Sequence, residues 1–130
     1  MTPEVRHVFH PPSHTFSYVI WDPATRRGAI IDPVLDYDPA SGRSGTETAE
    51  KLLAIIEAEE LTVDWLLETH AHADHMSAAV WFKKHFDAQV AIGERITEVQ
   101  ARFLRLFNLE PDFPTNGSQF DRLFADGEAF

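Results

Sequence analysis

Apolar and aromatic residues gather in three short runs, Val5 to Phe9, Ser17 to Trp21 and Gly28 to Ile31, which read as strands. The Pro11-Pro12 and Asp22-Pro23 pairs between them predict turns. The chain is therefore expected to open with antiparallel pairing. From Asp32 to Gly45 the sequence is rich in Pro, Gly, Asp and Ser. That stretch is too long for a tight turn and reads as a surface loop near a site.

The pattern then changes. Ser44 followed by Glu47 fits a capping box, and Ala49, Leu52, Leu53 and Ile56 recur at helical spacing, predicting a helix that runs to about Glu60. Val63 to Glu68 is compact and apolar around Trp65, Leu66 and Leu67, as suits a strand covered on both faces. A helical pattern from Ser77 to Phe86 and a strand from Gln89 to Ile92 complete a strand, helix, strand crossover. A further amphipathic helix is expected from Arg95 to Phe107, with Ile96, Val99, Phe103, Leu106 and Phe107 on one stripe.

Glu110 to Gln119 reads as a loop, and Phe120 to Phe124 as a strand entering an Asp126-Gly127 hairpin turn. Only three residues follow that turn. A return strand so short pairs poorly, so residues 1–130 are expected to be one partial domain ending within a larger fold.

Three histidines and an aspartate fall within six residues, at His70, His72, Asp74 and His75, directly after the buried strand. Ligands tend to lie at the carboxyl ends of strands in open α/β sheets. In extended backbone His70 and His72 leave on the same side with origins about 6 to 7 Å apart, close enough for two imidazoles to converge on one ion. The turn into the next helix re-aims Asp74 and His75. The quartet thus suits two adjacent metals, or one metal with hydrogen-bonded supports. A plainer alternative is a polar strand-to-helix loop in which Asp74 or Ser77 caps the helix. It accounts for one histidine but poorly for three.

Composition narrows the chemistry. The chain has no cysteine, so histidine and carboxylate are the strong metal ligands available, and zinc or iron is the expected ion. With 21 acidic against 11 basic residues the formal charge is −10, which disfavours nucleic acid and anionic membranes as partners. Met1 to His10 shows neither a continuous apolar leader core nor a span of bilayer length, and a soluble cytoplasmic protein is expected.

The run Thr69-His70-Ala71-His72-Ala73-Asp74-His75-Met76 resembles the His-x-His-x-Asp-His signature of the metallo-β-lactamase superfamily. Ile31-Asp32-Pro33 looks like that family's strand ending in an aspartate, which implies that Asp32 supports the metal loop without being a ligand. The segments Ala91 to Gln100 and Phe120 to Glu128 are similar to the glyoxalase II-like branch that includes persulfide dioxygenases. The likeness spans the chain but only the amino-terminal half of such a protein. It implies an α/β fold, half of an αββα sandwich, with a mixed sheet and helices on its outer face.

Complete members continue to a Thr-Pro-Gly-His run, an aspartate and a final histidine, none of which occurs here. In the dioxygenases the resemblance implies one Fe(II) held by two histidines and a carboxylate, of which His70 alone would lie in this chain. In the hydrolases all four residues, Asp74 among them in a catalytic role, hold two metals that lower the pKa of a bridging water.

Three functions follow as expectations. The first is an Fe(II) dioxygenase acting on a glutathione-type persulfide. The second is a glyoxalase II-like thioester hydrolase with zinc or a binuclear site. The third is a non-catalytic half-domain that folds by self-association, a homodimer burying the apolar inner face of its sheet. The nuclease and β-lactam branches share the motif, but the first sits poorly with the charge and nothing specific supports the second. Elsewhere, His7, His10 and His14 are scattered, His85 is expected in solvent, and Phe16, Tyr18, Trp21, Trp81 and Phe82 are expected to pack.

Overall fold

The computed structural model describes residues 2–38, 40–70, 76–106 and 120–130. The three apolar stretches form β1 (Glu4–His10), β2 (Thr15–Trp21) and β3 (Arg27–Ile31), paired antiparallel in sequence. Proline fixes the backbone of a 3-10 turn at Pro11–Ser13 between the first two. Between the next two, the Asp22 carboxylate accepts the Ala24 amide at 2.8 Å and so closes the turn.

The expected loop from Asp32 to Gly45 is instead mostly strand. It holds β4 (Val34–Asp38) and β5 (Arg43–Gly45), joined by a short turn. The polar composition misled because these strands are short and only Val34 is fully buried, while Asp38 and Ser41 bond each other locally. Helix α1 (Glu47–Ala58) follows, and the capping box does not form: Thr46 stands at the N-cap without a side-chain bond. Asp36 does the work from the strand opposite, its carboxylate accepting the Thr48 amide at 2.8 Å and the Thr48 hydroxyl at 2.7 Å.

Next come β6 (Thr62–Leu67), β7 (Met76–Ser77), α2 (Ala79–Lys83), β8 (Gln89–Gly93), α3 (Ile96–Leu106) and β9 (Arg122–Phe124). The helix expected from Ser77 is thus shorter, because Met76 and Ser77 pair with Leu35 and Val34 and complete a small antiparallel sheet ordered β5-β4-β7. Phe107 and the Glu110 to Gln119 segment lie outside the described residues.

The main sheet is six-stranded and mixed, ordered β1-β2-β3-β6-β8-β9, with β6 parallel to β3 and β8 parallel to β6. The strand, helix, strand crossover is present. The hairpin expected at the carboxyl end is not, since β9 joins β8 in parallel. Asp121 fixes that pairing: its amide bonds the Val90 carbonyl at 2.8 Å, and its carboxylate accepts the Val90 amide at 2.9 Å and the Lys83 ammonium. Gly127 (φ 78°) still makes a turn, after which the Phe130 ring packs 4.4 Å from that of Phe124 and 5.4 Å from that of Trp65.

Both α1 and α2 cover one face of the main sheet. Ala49, Leu52 and Ile56 from the first and Ala79 and Phe82 from the second meet Val19, Trp21, Ile30, Val63, Leu66 and Val90. Each buried side chain of Leu or Ile size contributes about 1.5–3 kcal/mol. The other face carries a cross-strand cluster of His7, Phe9, Phe16 and Tyr18, with Phe9 and Phe16 41% and 43% exposed. This matches the expected arrangement of a mixed sheet with helices on one side. No helix among the described residues is long and apolar enough to cross a membrane.

Candidate metal centre

Strand β6 ends at Leu67, and its parallel neighbours β3 and β8 end beside it, so the residues that follow emerge at one end of the sheet. Glu68 is held there by its amide, 2.9 Å from the Ala91 carbonyl, and is buried. Thr69 and His70 come next and reach the surface. Of the four residues in the cluster, His70 is described; His72, Asp74 and His75 lie outside the described residues. Among the described residues no three metal-binding side chains converge.

Asp32 organises the start of this segment. It leaves the end of β3 with φ 51°, a left-handed conformation that aspartate tolerates better than most residues, and is 7% exposed. Its own amide bonds the Leu67 carbonyl at 2.8 Å and its carbonyl accepts the Ser17 hydroxyl at 2.7 Å. The carboxylate then faces Thr69, accepting the amide at 2.8 Å and the hydroxyl at 2.6 Å. Asp32 thus sits where the sequence placed it, supporting the loop from behind.

The Thr69 hydroxyl also lies 2.7 Å from His70 Nδ1. A hydroxyl has one proton, and with that proton given to Asp32 it can only accept from the imidazole. Nδ1 therefore carries hydrogen, and the neutral ring keeps its lone pair on Nε2, the state a metal-binding histidine needs. The donor chemistry fits a divalent ion: an imidazole with a fixed tautomer, oriented by a carboxylate through a hydroxyl.

The far end of the loop is fastened as well. Ser77 donates its hydroxyl to Glu68 and accepts the Ala79 amide at 3.1 Å, and the Ala78 amide bonds the Pro33 carbonyl at 2.9 Å. Ser77, a candidate helix cap from the sequence, lies one residue before the N-cap Ala78 and accepts the first helical amide, while Glu68 carries no sequence signal beyond its place beside the motif. A second omission is His10. It is buried, with Nε2 3.1 Å from Asp36 and Nδ1 2.6 Å from the Ser13 hydroxyl, and so ties β1 to β4 at this same end of the molecule. His14 and His85 are exposed, as expected for His85.

Comparison with known proteins adds the wider context. The family model for the metallo-beta-lactamase superfamily matches residues 10–128. A beta-lactamase hydrolase-like protein of Xylella fastidiosa is 49% identical over 129 residues, covering 99% of this chain and 30% of that protein. The mitochondrial persulfide dioxygenase ETHE1 of Homo sapiens is 29% identical over 97 residues, covering 75% and 34% of the two chains. The crystal structure of ETHE1 from Myxococcus xanthus superposes with a TM-score of 0.56 at 32% identity, over 68% of this chain and 34% of that one. The chain thus spans about a third of the length of these relatives.

Proposed function

Since the chain belongs to the metallo-beta-lactamase superfamily, we propose that the protein carrying it oxidises a glutathione-type persulfide with O₂, using Fe(II) held in part by His70, the first residue of the His70, His72, Asp74 and His75 cluster. The family includes proteins named as metallo-hydrolases and dioxygenases. The observation that carries the metal reading is His70, whose Nδ1 is tied through Thr69 to Asp32 so that Nε2 is the ligating nitrogen. The likeness to ETHE1 structures and sequences supports the choice of reaction.

When bound, an Fe(II) ion supplies the redox chemistry and a coordination position for a thiol-type substrate. The chain's own part is to hold the imidazole of His70 in one tautomer and one direction. Its net charge of −10 argues against polyanionic substrates such as nucleic acid. A small sulfur-bearing molecule meets neither difficulty.

A second reading is a glyoxalase II-like thioester hydrolase holding zinc or a metal pair. It is favoured by the name of the 49% identical Xylella relative, a hydrolase-like protein. The full-length protein decides between them by its metal content as purified, oxygen uptake with glutathione persulfide, and cleavage of a glutathione thioester. Iron with oxygen uptake, lost in His70→Ala, is the expected result. Zinc with thioester cleavage and no oxygen uptake overturns the first reading in favour of the second.

A further inference from the structure

We infer that Glu68 and Ser77 are positioning residues whose side-chain bond clasps the two described ends of the metal motif and so helps hold His70 in place for a metal, an inference that rests on the metal reading above. Glu68 stands immediately before Thr69-His70, and Ser77 two residues after His75. The Ser77 hydroxyl donates to Oε1 of Glu68, nine positions earlier in the chain.

Each half of the clasp is separately anchored. Glu68 is 8% exposed, and its backbone is fixed by the bond from its amide to the Ala91 carbonyl in β8. Ser77 pairs with Val34 in β4, and its hydroxyl oxygen accepts the Ala79 amide at the start of α2, whose Phe82 is fully buried. Joining them links the main sheet, the small sheet and the helix at one point. A buried carboxylate is costly unless hydrogen-bonded, and the hydroxyl of Ser77 is one of its partners.

The clasp does something the Asp32–Thr69 contact cannot. Asp32 orients the first ligand from the entry side, and β4–β7 pairing holds only the two residues at the exit. Glu68 and Ser77 tie entry and exit directly to each other. Residues that orient metal ligands typically contribute about 10- to 100-fold in metal affinity.

The test uses the full-length protein with Glu68→Ala, Glu68→Gln and Ser77→Ala, measuring zinc affinity by chelator competition and hydrogen exchange of the loop amides without metal. Glu68→Ala and Ser77→Ala are expected to weaken zinc about 10- to 100-fold and to speed exchange in residues 69–76. Glu68→Gln, which keeps an acceptor for Ser77, is expected to restore most of both. Glu68→Ala leaves the Ala79 cap intact and so separates the clasp from helix capping. Wild-type affinity and exchange in both alanine variants would overturn the clasp, as would Glu68→Gln behaving like Glu68→Ala. Wild-type protein that binds no zinc or iron sinks the metal reading instead, while the exchange measurement still decides whether the clasp exists.

Discussion

Thr69 gives its hydroxyl proton to Asp32 at 2.6 Å and receives one from His70 at 2.7 Å, so a carboxylate at the end of β3 dictates which nitrogen of a histidine beyond β6 can bind a metal. The relay works because β3 and β6 are parallel neighbours ending at the same level.

Replacing Asp32 with Asn should therefore spare the fold and weaken the site. Asparagine tolerates the left-handed backbone of residue 32, but its amide nitrogen cannot accept from Thr69. A loss of about 10- to 100-fold in metal affinity is expected. Thr69→Val should do the same, and the double variant should cost little more than either single one, since both remove one relay. Chelator competition measures all three.

Phe82→Ala should destabilise the protein by about 3–5 kcal/mol. The ring is fully buried on α2 where it meets the sheet. Denaturant unfolding of the full-length protein checks this.

Gly28→Ala should be destabilising although alanine is the smallest change. A Cβ at residue 28 would lie 2.3 Å from the Ile20 carbonyl oxygen and 2.9 Å from Trp21 Cβ, across the β2–β3 pairing, so the strands must separate. Overpacking of this kind costs about 1–3 kcal/mol, read as a lowered Tm.

Acid should loosen the β8–β9 edge. The Lys83 ammonium and the Val90 amide, both bonded to the Asp121 carboxylate, hold its pKa below the ordinary 3.8. A depressed folded pKa means that the stabilisation is complete above the unfolded value and fades as pH falls through the folded one. The contribution is small, because the pair is exposed and such pairs give about 0–1 kcal/mol. Asp121→Asn should flatten the pH dependence of stability below about pH 4, measured by thermal melts between pH 2 and 6.

Much of this was legible in the chain because it depends on local pattern. The short apolar runs of β1, β2 and β3 between turn signals, the Ala49, Leu52, Ile56 stripe of α1 and the crossover around α2 each follow from local sequence. The strands β4 and β5 were hidden because they are short and largely polar, and because the other partner of β4, β7, is distant in sequence. The Ser44 to Glu47 pattern named the right region for a helix start but the wrong capping group, since Asp36 reaches the helix only through tertiary folding.

Sequence by itself determined the metal chemistry on offer: a quartet of histidine and carboxylate after a buried strand, in a chain without cysteine. Spacing along a short peptide is covalent, so folding does not alter it. Tertiary structure alone decided the tautomer of His70, the burial of Glu68 and its bond to Ser77, and the parallel attachment of β9. Those depend on which strands lie side by side, and hydrogen bonds set by tertiary placement leave no periodic trace in the chain.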